Sequence, residues 1–341
     1  MTIHVRPLAL LLGDINMDIL MELDRFPGLG EDSVARQTLL NIGGGVANSA
    51  CVLAGLGLAP RIFARVGSDP LGDSALGALA GAGVDLSGIS CDSTTPTGMI
   101  LVATVPGGER TMFSNRGANT HLSPQEISAS RMAGARILQL TGYAFLEPPQ
   151  RDAAWKAIDL ACAAGIPISL DAAINPGGTP RDHIRKLLER LDTCILGMEE
   201  ARSLLGAQDP PEAARALLER GVATVAVKLG SRGSYFARRG ESLYLPAHPV
   251  ASVDATGAGD AFCAGLLYAR VMGLSLAASG ILASASGALA TTVRGAGPAL
   301  PGGSELLQFL RELGGSRRDP DLAPACAEAV SSLEGSLNLP G

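Results

Sequence analysis

The stretch DATGAGDAFCAGLLYAR (254–270) joins a loop of small residues to an apolar helical pattern. Gly257, Ala258 and Gly259 leave backbone N–H groups uncovered at the positive end of the predicted helix dipole, so an anionic oxygen can approach them closely. Asp260 follows at once, and a carboxylate beside bound phosphate is repelled unless it serves a purpose, such as taking a proton from a substrate hydroxyl. The alternative interpretation is a helix-capping aspartate. The whole segment predicts an anion hole followed by a candidate general base.

Short apolar runs alternate with helical patterns along most of the chain. The predicted strands are 8–12, 61–66, 136–140, 166–170, 193–196 and 223–227, and the predicted helices are 46–57, 73–83, 150–165 and 211–221. Such alternation is typical of a doubly wound, mostly parallel sheet whose ligands bind at the carboxyl ends of the strands. We therefore predict an α/β fold with one large sheet flanked by helices.

Three segments depart from this pattern. Segments 15–40 and 97–115 alternate apolar and polar residues around the turn signals PGLG and PGG, and no helical pattern covers them. We expect them to form a small second β-sheet. Segment 314–341 is rich in Ser, Gly and Pro and shows at most one weak helix. We expect one domain over residues 1–313 and a tail that packs loosely or is disordered.

The composition argues against several classes of protein. The chain has 341 residues, 47% of them hydrophobic and 18% charged, so it can bury a large core. A net charge of −6 and the lack of long Lys or Arg runs argue against a nucleic-acid surface. No transmembrane span is visible, and six scattered cysteines without a CxxC pair suit reduced thiols. We expect a cytoplasmic protein that binds small molecules and neither nucleic acid nor membrane.

Familiar catalytic motifs are missing elsewhere. None of the three lysines follows a glycine, so the phosphate-binding pattern GxxxxGK[ST] cannot occur, and no GxGxxG follows a predicted strand. The four histidines lie apart without metal-ligand spacing, and there is no GxSxG elbow. These absences argue against Walker-type NTPases, dinucleotide-dependent dehydrogenases, zinc enzymes and α/β-hydrolases.

A second glycine cluster, NIGGGVANSACVLAGLG (41–57), joins a predicted strand to a helix. Its glycines, Gly44 and Gly45 among them, let the backbone approach a ligand, while Asn48 offers hydrogen-bond donors and an acceptor to hydroxyl groups. A tight packing turn is the alternative. The cluster indicates a ligand site only in combination with other motifs.

The motif GDINMD (13–18) follows the first predicted strand. Asn16 and Asp18 lie two residues apart, and therefore on the same face of an extended segment. An amide and a carboxylate together suit a polyhydroxylated ligand, although a turn-forming pair is the alternative.

Four segments, in this order, resemble the ribokinase-like, or PfkB-type, carbohydrate kinase family: GDINMD (13–18), GGGVAN (43–48), KLGSRG (228–233) and DATGAGDAFCAG (254–265). The resemblance extends from about residue 8 to residue 313 and is most specific in the last segment. It implies a ribokinase-like fold in which the two β segments form a lid. It also implies ATP and Mg²⁺ as cofactors, a sugar or nucleoside substrate, and a homodimer that pairs through the lid.

The resemblance implies roles for individual residues. Asp260 matches the catalytic base. The anion hole for the transferring phosphoryl group matches Gly257, Ala258 and Gly259. The implied substrate-binding positions are Asn16, Asp18, Gly44, Gly45, Asn48 and Arg116. The implied nucleotide-binding positions are Lys228, Gly230, Ser231, Gly233, Gly257 and Gly259. Arg116 either meets an acidic or phosphorylated substrate or is a solvated arginine.

The resemblance also implies metal positions. Asp254 and Thr256 match a loop that holds a monovalent cation in several members, which implies K⁺ as an activator. Glu200 matches an acidic residue that acts indirectly on Mg²⁺ beside the phosphates. The family often has Asn-x-x-Glu at that point, whereas GMEE places Gly197 at the asparagine position. This departure weakens the expected contacts to metal and nucleotide.

We predict an ATP-dependent kinase that transfers the γ-phosphoryl group to a hydroxyl of a small sugar, with Asp260 as general base and no covalent intermediate. A nucleoside kinase of the same family would use the same catalytic residues. The third interpretation is a non-catalytic sugar- or nucleotide-binding relative, which Gly197 would permit. Asp260 and the intact GAG loop favour an enzyme, since a binding protein gains nothing from a carboxylate that faces phosphate.

Overall fold

The computed structural model describes residues 6–106, 110–173, 181–315 and 322–337. Within them, nine strands form one large sheet. Numbered in chain order and given in order across the sheet, they are β13 (Glu241–Leu245), β12 (Ser234–Arg238), β11 (Thr224–Lys228), β10 (Thr193–Gly197), β9 (Ile168–Asp171), β8 (Ala135–Thr141), β1 (Leu8–Leu12), β4 (Ala59–Gly67) and β5 (Ile89–Asp92). Neighbouring strands pair in parallel except β11 with β12 and β12 with β13. The predicted mostly parallel sheet is confirmed.

Helices cover both faces of this sheet, as predicted. They are α1 (Gly45–Gly55), α2 (Pro70–Gly81), α3 (Ala129–Met132), α4 (Gln150–Ala164), α5 (Arg181–Leu187), α6 (Met198–Leu205), α7 (Pro210–Leu218), α8 (Ala258–Met272), α9 (Leu276–Ala290), α10 (Gly303–Gly315) and α11 (Ala323–Leu337). Because side chains alternate along a strand, Ala9 and Leu11 of β1 pack with the core around α1, α8 and α9, whereas Leu10 and Leu12 pack with the core around α4 and α7. No helix in the described part of the chain has both the length and the apolar character needed to cross a membrane.

A smaller sheet is separate from the large one. In order, its strands are β3 (Ala35–Gly43), β2 (Asn16–Leu23), β6 (Gly98–Thr104) and β7 (Arg110–Asn115). β2 pairs antiparallel with β3 and parallel with β6, and β6 pairs antiparallel with β7. The prediction of a second sheet from segments 15–40 and 97–115 is confirmed. Leu40, Met112 and Phe113 are exposed on it.

Helix α11 corrects the prediction of a loose tail. Residues 323–337 form this helix, which packs against α9 and α10. Ala325, Ala329 and Leu333 recur every four residues and are buried in the core. The stripe escaped the sequence reasoning because alanine contributes little hydropathy in a segment rich in Ser and Gly. The rest of the predicted tail, 316–321 and 338–341, lies outside the described residues.

Polar contacts fasten α11 to α8 and α9. The Tyr268 hydroxyl, fully buried in α8, donates to the Ser332 carbonyl oxygen at 2.9 Å and lies 2.7 Å from the Ser336 hydroxyl. Ser275, which caps the amino terminus of α9, donates its backbone N–H and its hydroxyl to Glu328 at 2.8 and 2.5 Å. Helix α11 is therefore part of the packed core that supports α8.

Candidate active site

The chain order of the large sheet reverses between β1 and β8, and ligands of such sheets bind at the carboxyl ends of the strands around this point. Charged side chains gather there. Asp14 follows β1, Asp171 ends β9, Lys228 ends β11, and Glu200 lies in the first turn of α6, directly after β10. The amino terminus of α8, with Asp260 in its first turn, meets the same edge.

The small-residue loop ends where α8 begins. Gly257 has a φ of 76°, and a Cβ there would lie 3.1 Å from the Leu300 side chain, so the turn favours glycine. The N–H groups of Gly259 and Asp260 belong to the first turn of a helix and have no acceptor within it, whereas the Ala258 N–H donates to the Ala255 carbonyl oxygen at 3.3 Å. A Cβ on Gly259 would lie 3.7 Å from Lys228 Nζ, so an ammonium group stands beside these N–H groups. Together they provide a positive site for an anion.

The Asp260 side chain points toward α1. Its Oδ2 accepts a hydrogen bond from Asn48 Nδ2 at 2.6 Å, and its carbonyl oxygen accepts one from the Ser49 hydroxyl at 3.0 Å. The N-cap of α8 is Gly257, which has no side chain to cap the helix. The contact of Asp260 with another helix makes the capping interpretation less suitable than the catalytic one.

The surroundings of Asp260 place its ionisation near neutral pH. Burial raises the pKa of Asp260 to about 7, the charges of Asp171 and Asp18 also raise it, and Asn48 and Lys228 lower it. A carboxyl group with such a pKa can accept a proton from a substrate and later release it at neutral pH.

An ion pair joins the anion hole to the sheet. Lys228 Nζ donates to Asp171 Oδ1 at 2.8 Å. Burial lowers the pKa of Lys228, but the negative charges of Asp171 and Glu200 outweigh it, so the net pKa is raised and the ammonium form persists. The ion pair with Asp171 therefore keeps the positively charged ammonium group of Lys228 beside Gly259.

Asp18 and Asn16 lie on β2, next to the end of β3. Asp18 is buried, which raises its pKa to about 6, and its Oδ1 has no hydrogen-bond partner within the described residues. A Cβ on Gly43 would overlap the Asp18 carboxylate. Asn16 Oδ1 is already used, because it accepts from Asn119 Nδ2 at 2.9 Å. The free Asp18 oxygen is a buried acceptor suited to a ligand hydroxyl.

Gly44 and Gly45 both lie where a side chain would meet another group, but the group differs between them. Gly44 caps α1 with a φ of 95°, and a Cβ there would overlap the Asp14 carbonyl oxygen, so this position is a tight packing turn. A Cβ on Gly45 would lie 3.1 Å from Asp260 Oδ1. Gly45 therefore leaves space beside the candidate base.

Arg116 is held by its neighbours. Its Nε and Nη2 donate to the two carboxylate oxygens of Asp14, both at 2.8 Å. Its Nη1 lies 3.3 Å from Glu147 Oε1, and the guanidinium also donates to Gln150. The side chain is only 15% exposed, so the interpretation as a solvated arginine is wrong. Its charge is balanced by Asp14 and Glu147.

A cavity of about 700 Å³ opens on the other side of the α8 amino terminus. The predicted nucleotide-binding residues that line it are Lys228, Gly230, Ser231, Gly233 and Gly259. Gly257 supports the loop behind Ala258 and Gly259. Sequence reasoning missed the remaining walls, which include His248, Pro249, Val250, Phe262, Gly287 and Thr291. Phe262 belongs to α8, and the others come from residues 248–250 of the loop before α8 and from the small-residue helix α9 with its C-cap Thr291, neither of which carries a polar motif.

The residues predicted to serve cations have protein partners. Glu200 Oε2 accepts from the Gly197 N–H at 2.5 Å. Asp254 Oδ1 accepts from the N–H and hydroxyl of Thr256 at 2.9 and 2.7 Å, and its Oδ2 accepts from the Gly295 N–H at 3.0 Å. No three candidate ligand side chains converge on a metal position in the described ranges. The metal roles of these residues stay predictions.

Comparison with known proteins decides the family. The profile of the pfkB family carbohydrate kinases matches residues 7–302. The chain belongs to the pfkB family. It is a carbohydrate kinase, a phosphotransferase that acts on an alcohol group, and the predicted resemblance is confirmed.

Named relatives of this pfkB kinase differ in their sugars. It is 31% identical to the 2-dehydro-3-deoxygluconokinase of Thermoproteus tenax over 80% of this chain and 86% of that protein. It is 33% identical to the fructokinase of Klebsiella pneumoniae over 79% and 91% of the two chains. A candidate ribokinase II of E. coli in complex with ATP and Mg²⁺ has a TM-score of 0.80 and 27% identity, over 90% of this chain and 99% of that one.

Sequence reasoning missed the hydrogen-bond network that supports residues 13–18 of the pfkB kinase. Asn119, fully buried, accepts from the Ile15 N–H at 2.8 Å and donates to the Ile15 carbonyl oxygen at 2.9 Å. Gln150 Nε2 donates to Asp14 Oδ1 at 2.7 Å. Asn119 and Gln150 lie far along the chain from residues 13–18, so no local spacing pattern predicts their contacts.

Proposed function

We propose that this pfkB kinase transfers the γ-phosphoryl group of ATP to a hydroxyl of a small neutral sugar, with Asp260 as general base. The position of Asp260 carries the proposal. Its carboxylate, with a pKa of about 7, lies in the first turn of α8, close enough to Asp18 for the Asp18 charge to raise that pKa, and the cavity of about 700 Å³ opens beside the same turn at Gly259. A sugar bound at Asp18 and a nucleotide bound in the cavity would meet at this carboxylate.

The chemistry follows from these groups. Asp18 accepts a hydrogen bond from a sugar hydroxyl and orients the ring. Asp260 accepts the proton of the attacking sugar hydroxyl. The hydroxyl oxygen bonds to the γ-phosphorus as the bond between the γ-phosphorus and the bridging oxygen breaks, and ADP leaves with that oxygen. The N–H groups at the start of α8, with Lys228 beside them, stabilise the charge on the transferring group.

The residues present fit Mg²⁺-bound ATP. Mg²⁺ prefers hard oxygen ligands and usually keeps several waters when it binds substrate phosphates. The Glu200 carboxylate lies near Lys228, close enough to raise its pKa, and so offers an oxygen to the water shell of the ion on the phosphate side. When bound, Mg²⁺ neutralises phosphate charge.

The charge balance around the sugar side supports a neutral substrate. Asp14 and Glu147 neutralise Arg116, and Asp18 Oδ1 has no hydrogen-bond partner among the described residues. A carboxylate or phosphate on the sugar would therefore meet an unfavourable surplus of acidic side chains.

A coupled ADP-release assay with pentoses, hexoses, nucleosides, sugar phosphates and 2-dehydro-3-deoxygluconate tests the proposal. We expect Mg²⁺-dependent turnover with one or more neutral sugars. Turnover confined to nucleosides would select the nucleoside kinase instead, and turnover confined to acidic sugars would refute the charge argument. No turnover with any alcohol would support a binding protein.

We also propose that K⁺ activates the enzyme through Asp254 and Thr256. The Asp254 carboxylate shapes the loop that precedes the anion hole, so a cation held there would order the N–H groups that bind phosphate. Equal rates in potassium, sodium and tetramethylammonium chloride would remove this proposal.

We further propose that the small sheet is a lid through which two copies pair. Strands β3 and β7 are its edges, and Leu40, Met112 and Phe113 on them are exposed. Exposed apolar edge strands are usually covered by pairing. Light scattering at micromolar concentration that gives 34.7 kDa, the mass of one chain, would argue against the dimer.

We place the enzyme in the cytoplasm. Cys91 and Cys162 are exposed free thiols, which suits a reducing compartment. Fractionation of the native cell is the direct test.

A further inference from the structure

The loop of residues 294–297 lies between the small sheet and Asp260. Gly297 has a φ of 61°, and a Cβ there would overlap Cγ2 of Ile42, near the end of β3. Gly295 has a φ of 91°, and a Cβ there would lie 3.0 Å from the Asn41 amide. Strand β3 thus packs directly against this loop, and only glycine permits the contact.

The same loop reaches Asp260 through one side chain. The Gly297 N–H donates to Asn48 Oδ1 at 2.9 Å, and Asn48 Nδ2 donates to Asp260 Oδ2 at 2.6 Å. Asn48 is 4% exposed. Because an N–H group lies at one end and a carboxylate at the other, a single orientation of the amide satisfies both partners.

We infer that Asn48 is a positioning residue. The Gly297 N–H fixes the Asn48 amide, the amide fixes the Asp260 carboxylate, and Ile42 of the small sheet fixes the place of Gly297. This Ile42–Gly297–Asn48 relay connects strand β3 of the small sheet to the general base. It rests on the proposed function in one respect, namely that Asp260 is the base.

The relay has a readout that a merely structural role would not change. A hydrogen bond donated to a carboxylate favours its charged form, so a displaced Asn48 amide leaves Asp260 protonated at a higher pH. The acidic limb of the pH–rate profile, where kcat falls as Asp260 becomes protonated, then moves to higher pH. The polar and charged groups that face Asp260 from the surrounding elements are Asn48 of α1, Asp18 of β2, Asp171 of β9, Lys228 of β11 and Cys263 of α8.

The decisive variant is Gly297→Ala, which changes no side chain that contacts substrate. Its methyl group must push the loop away from Ile42 and draw the Gly297 N–H from Asn48. We expect the acidic limb to move up by about one pH unit, the amount expected for one hydrogen bond to a charged group, which lowers kcat at pH 7 about fivefold. Asn48→Ala should move the limb in the same direction.

Rescue and control variants separate displacement from backbone strain. In the double variant Ile42→Ala, Gly297→Ala the overlap with Cγ2 is gone, because the nearest Ile42 atoms that remain are its carbonyl oxygen at 3.3 Å and its Cβ at 3.5 Å from the added methyl. We expect its acidic limb to return to the wild-type position. Gly240→Ala is the matched control, since Gly240 has a φ of 83° but no atom within 4 Å of an added Cβ, and its profile should equal that of the wild type.

Circular dichroism and thermal melting of each variant show whether it is folded. A folded Gly297→Ala enzyme with the wild-type limb, or a double variant that is not restored, would overturn the relay. An Asp260→Asn enzyme that keeps its turnover would instead refute the general base itself, so the two failures are distinguishable.

Discussion

The cavity that we propose binds nucleotide (the nucleotide side) and the polar region that we propose binds sugar (the sugar side) meet at the first turn of α8 but are built from different groups. The cavity is lined largely by glycine, alanine and serine, with Lys228 at its inner end. The sugar side is a network of carboxylates and amides around Asp18, Asn48 and Asp260. A substitution among the small residues of the cavity mainly changes the cavity volume. A substitution in a buried polar network also disturbs the balance of its hydrogen bonds and charges. Substitutions on the two sides should therefore affect different measurable quantities.

Asp260→Asn should show the largest effect, because Asp260 stands at the boundary of the two sides. Loss of a general base lowers kcat by about 10²–10⁴-fold, whereas the substitution removes a buried carboxylate of raised pKa and keeps an oxygen that accepts from Asn48, so the variant should be at least as stable as wild type. Steady-state kinetics and thermal melting measure the two quantities.

Asp73→Asn is the matched control for Asp260→Asn, since Asp73 is an exposed acid in the first turn of α2. It should leave kcat unchanged. If Asp260→Asn kept a third of the wild-type kcat, the carboxylate would only support the helix and the proposed mechanism would have to be abandoned.

Asp18→Asn should separate stability from binding on the sugar side. Burial raises the pKa of Asp18 from 3.8 to about 6, so the stability that the neutral form provides is lost as pH rises through this range. Asn carries no charge, and the variant should be more stable than wild type by about 3 kcal/mol at pH 8, with the difference falling to about 0.5 kcal/mol at pH 4. The KM for sugar should rise about tenfold or more, because a hydrogen bond to a charged acceptor is lost.

Urea unfolding at the two pH values checks the prediction for Asp18. An Asp18→Asn protein that is less stable than wild type at pH 8 would show that the carboxylate is well compensated in the folded state. That outcome would remove the contrast between the two sides.

Ala288→Leu should affect only the nucleotide side. Ala288 of α9 lines the cavity, and a larger side chain there takes volume from the nucleotide. We expect the KM for ATP to rise about tenfold, which corresponds to about 1.4 kcal/mol of lost binding. The KM for sugar and the pH profile should stay within twofold of wild type. Ala288→Ser is the volume-matched control, and an equal rise in both KM values would break the comparison.

Gly197→Asn should have the smallest effect. Gly197 has a φ of −88°, which any residue adopts, and a Cβ there would lie 3.5 Å from Glu200 Oε2, so an asparagine fits. We expect the KM for Mg-ATP to fall a few-fold and α6 to gain a few tenths of a kcal/mol from the better N-cap. Gly197→Ala adds the Cβ without the amide and is the control. A KM that falls equally in both variants would show that the amide plays no part.

The parts of the molecule that sequence predicted are those encoded by neighbouring residues. The strands and helices follow from local apolar periodicity, and Gly257 to Asp260 form one contiguous loop and helix start. The Asp14–Arg116 pair and the Asn119–Ile15 bonds join segments about a hundred residues apart, so they depend on how the two sheets meet and leave no local pattern. Gly44 and Arg116 show the consequence, since each was predicted to bind substrate and each proves to contact Asp14.

Helix α11 sets where the protein can be cut for laboratory work. The family match ends at residue 302, before α10 and α11, and would suggest a shorter expression fragment. Such a fragment would expose the apolar face that Ala329 and Leu333 cover and leave the Tyr268 hydroxyl without its serine partners. We therefore expect fragments that end at residue 302 to aggregate, whereas a fusion partner joined after residue 341 preserves the support behind the catalytic helix. Expression vectors, split reporters and crystallisation fragments should therefore retain α11.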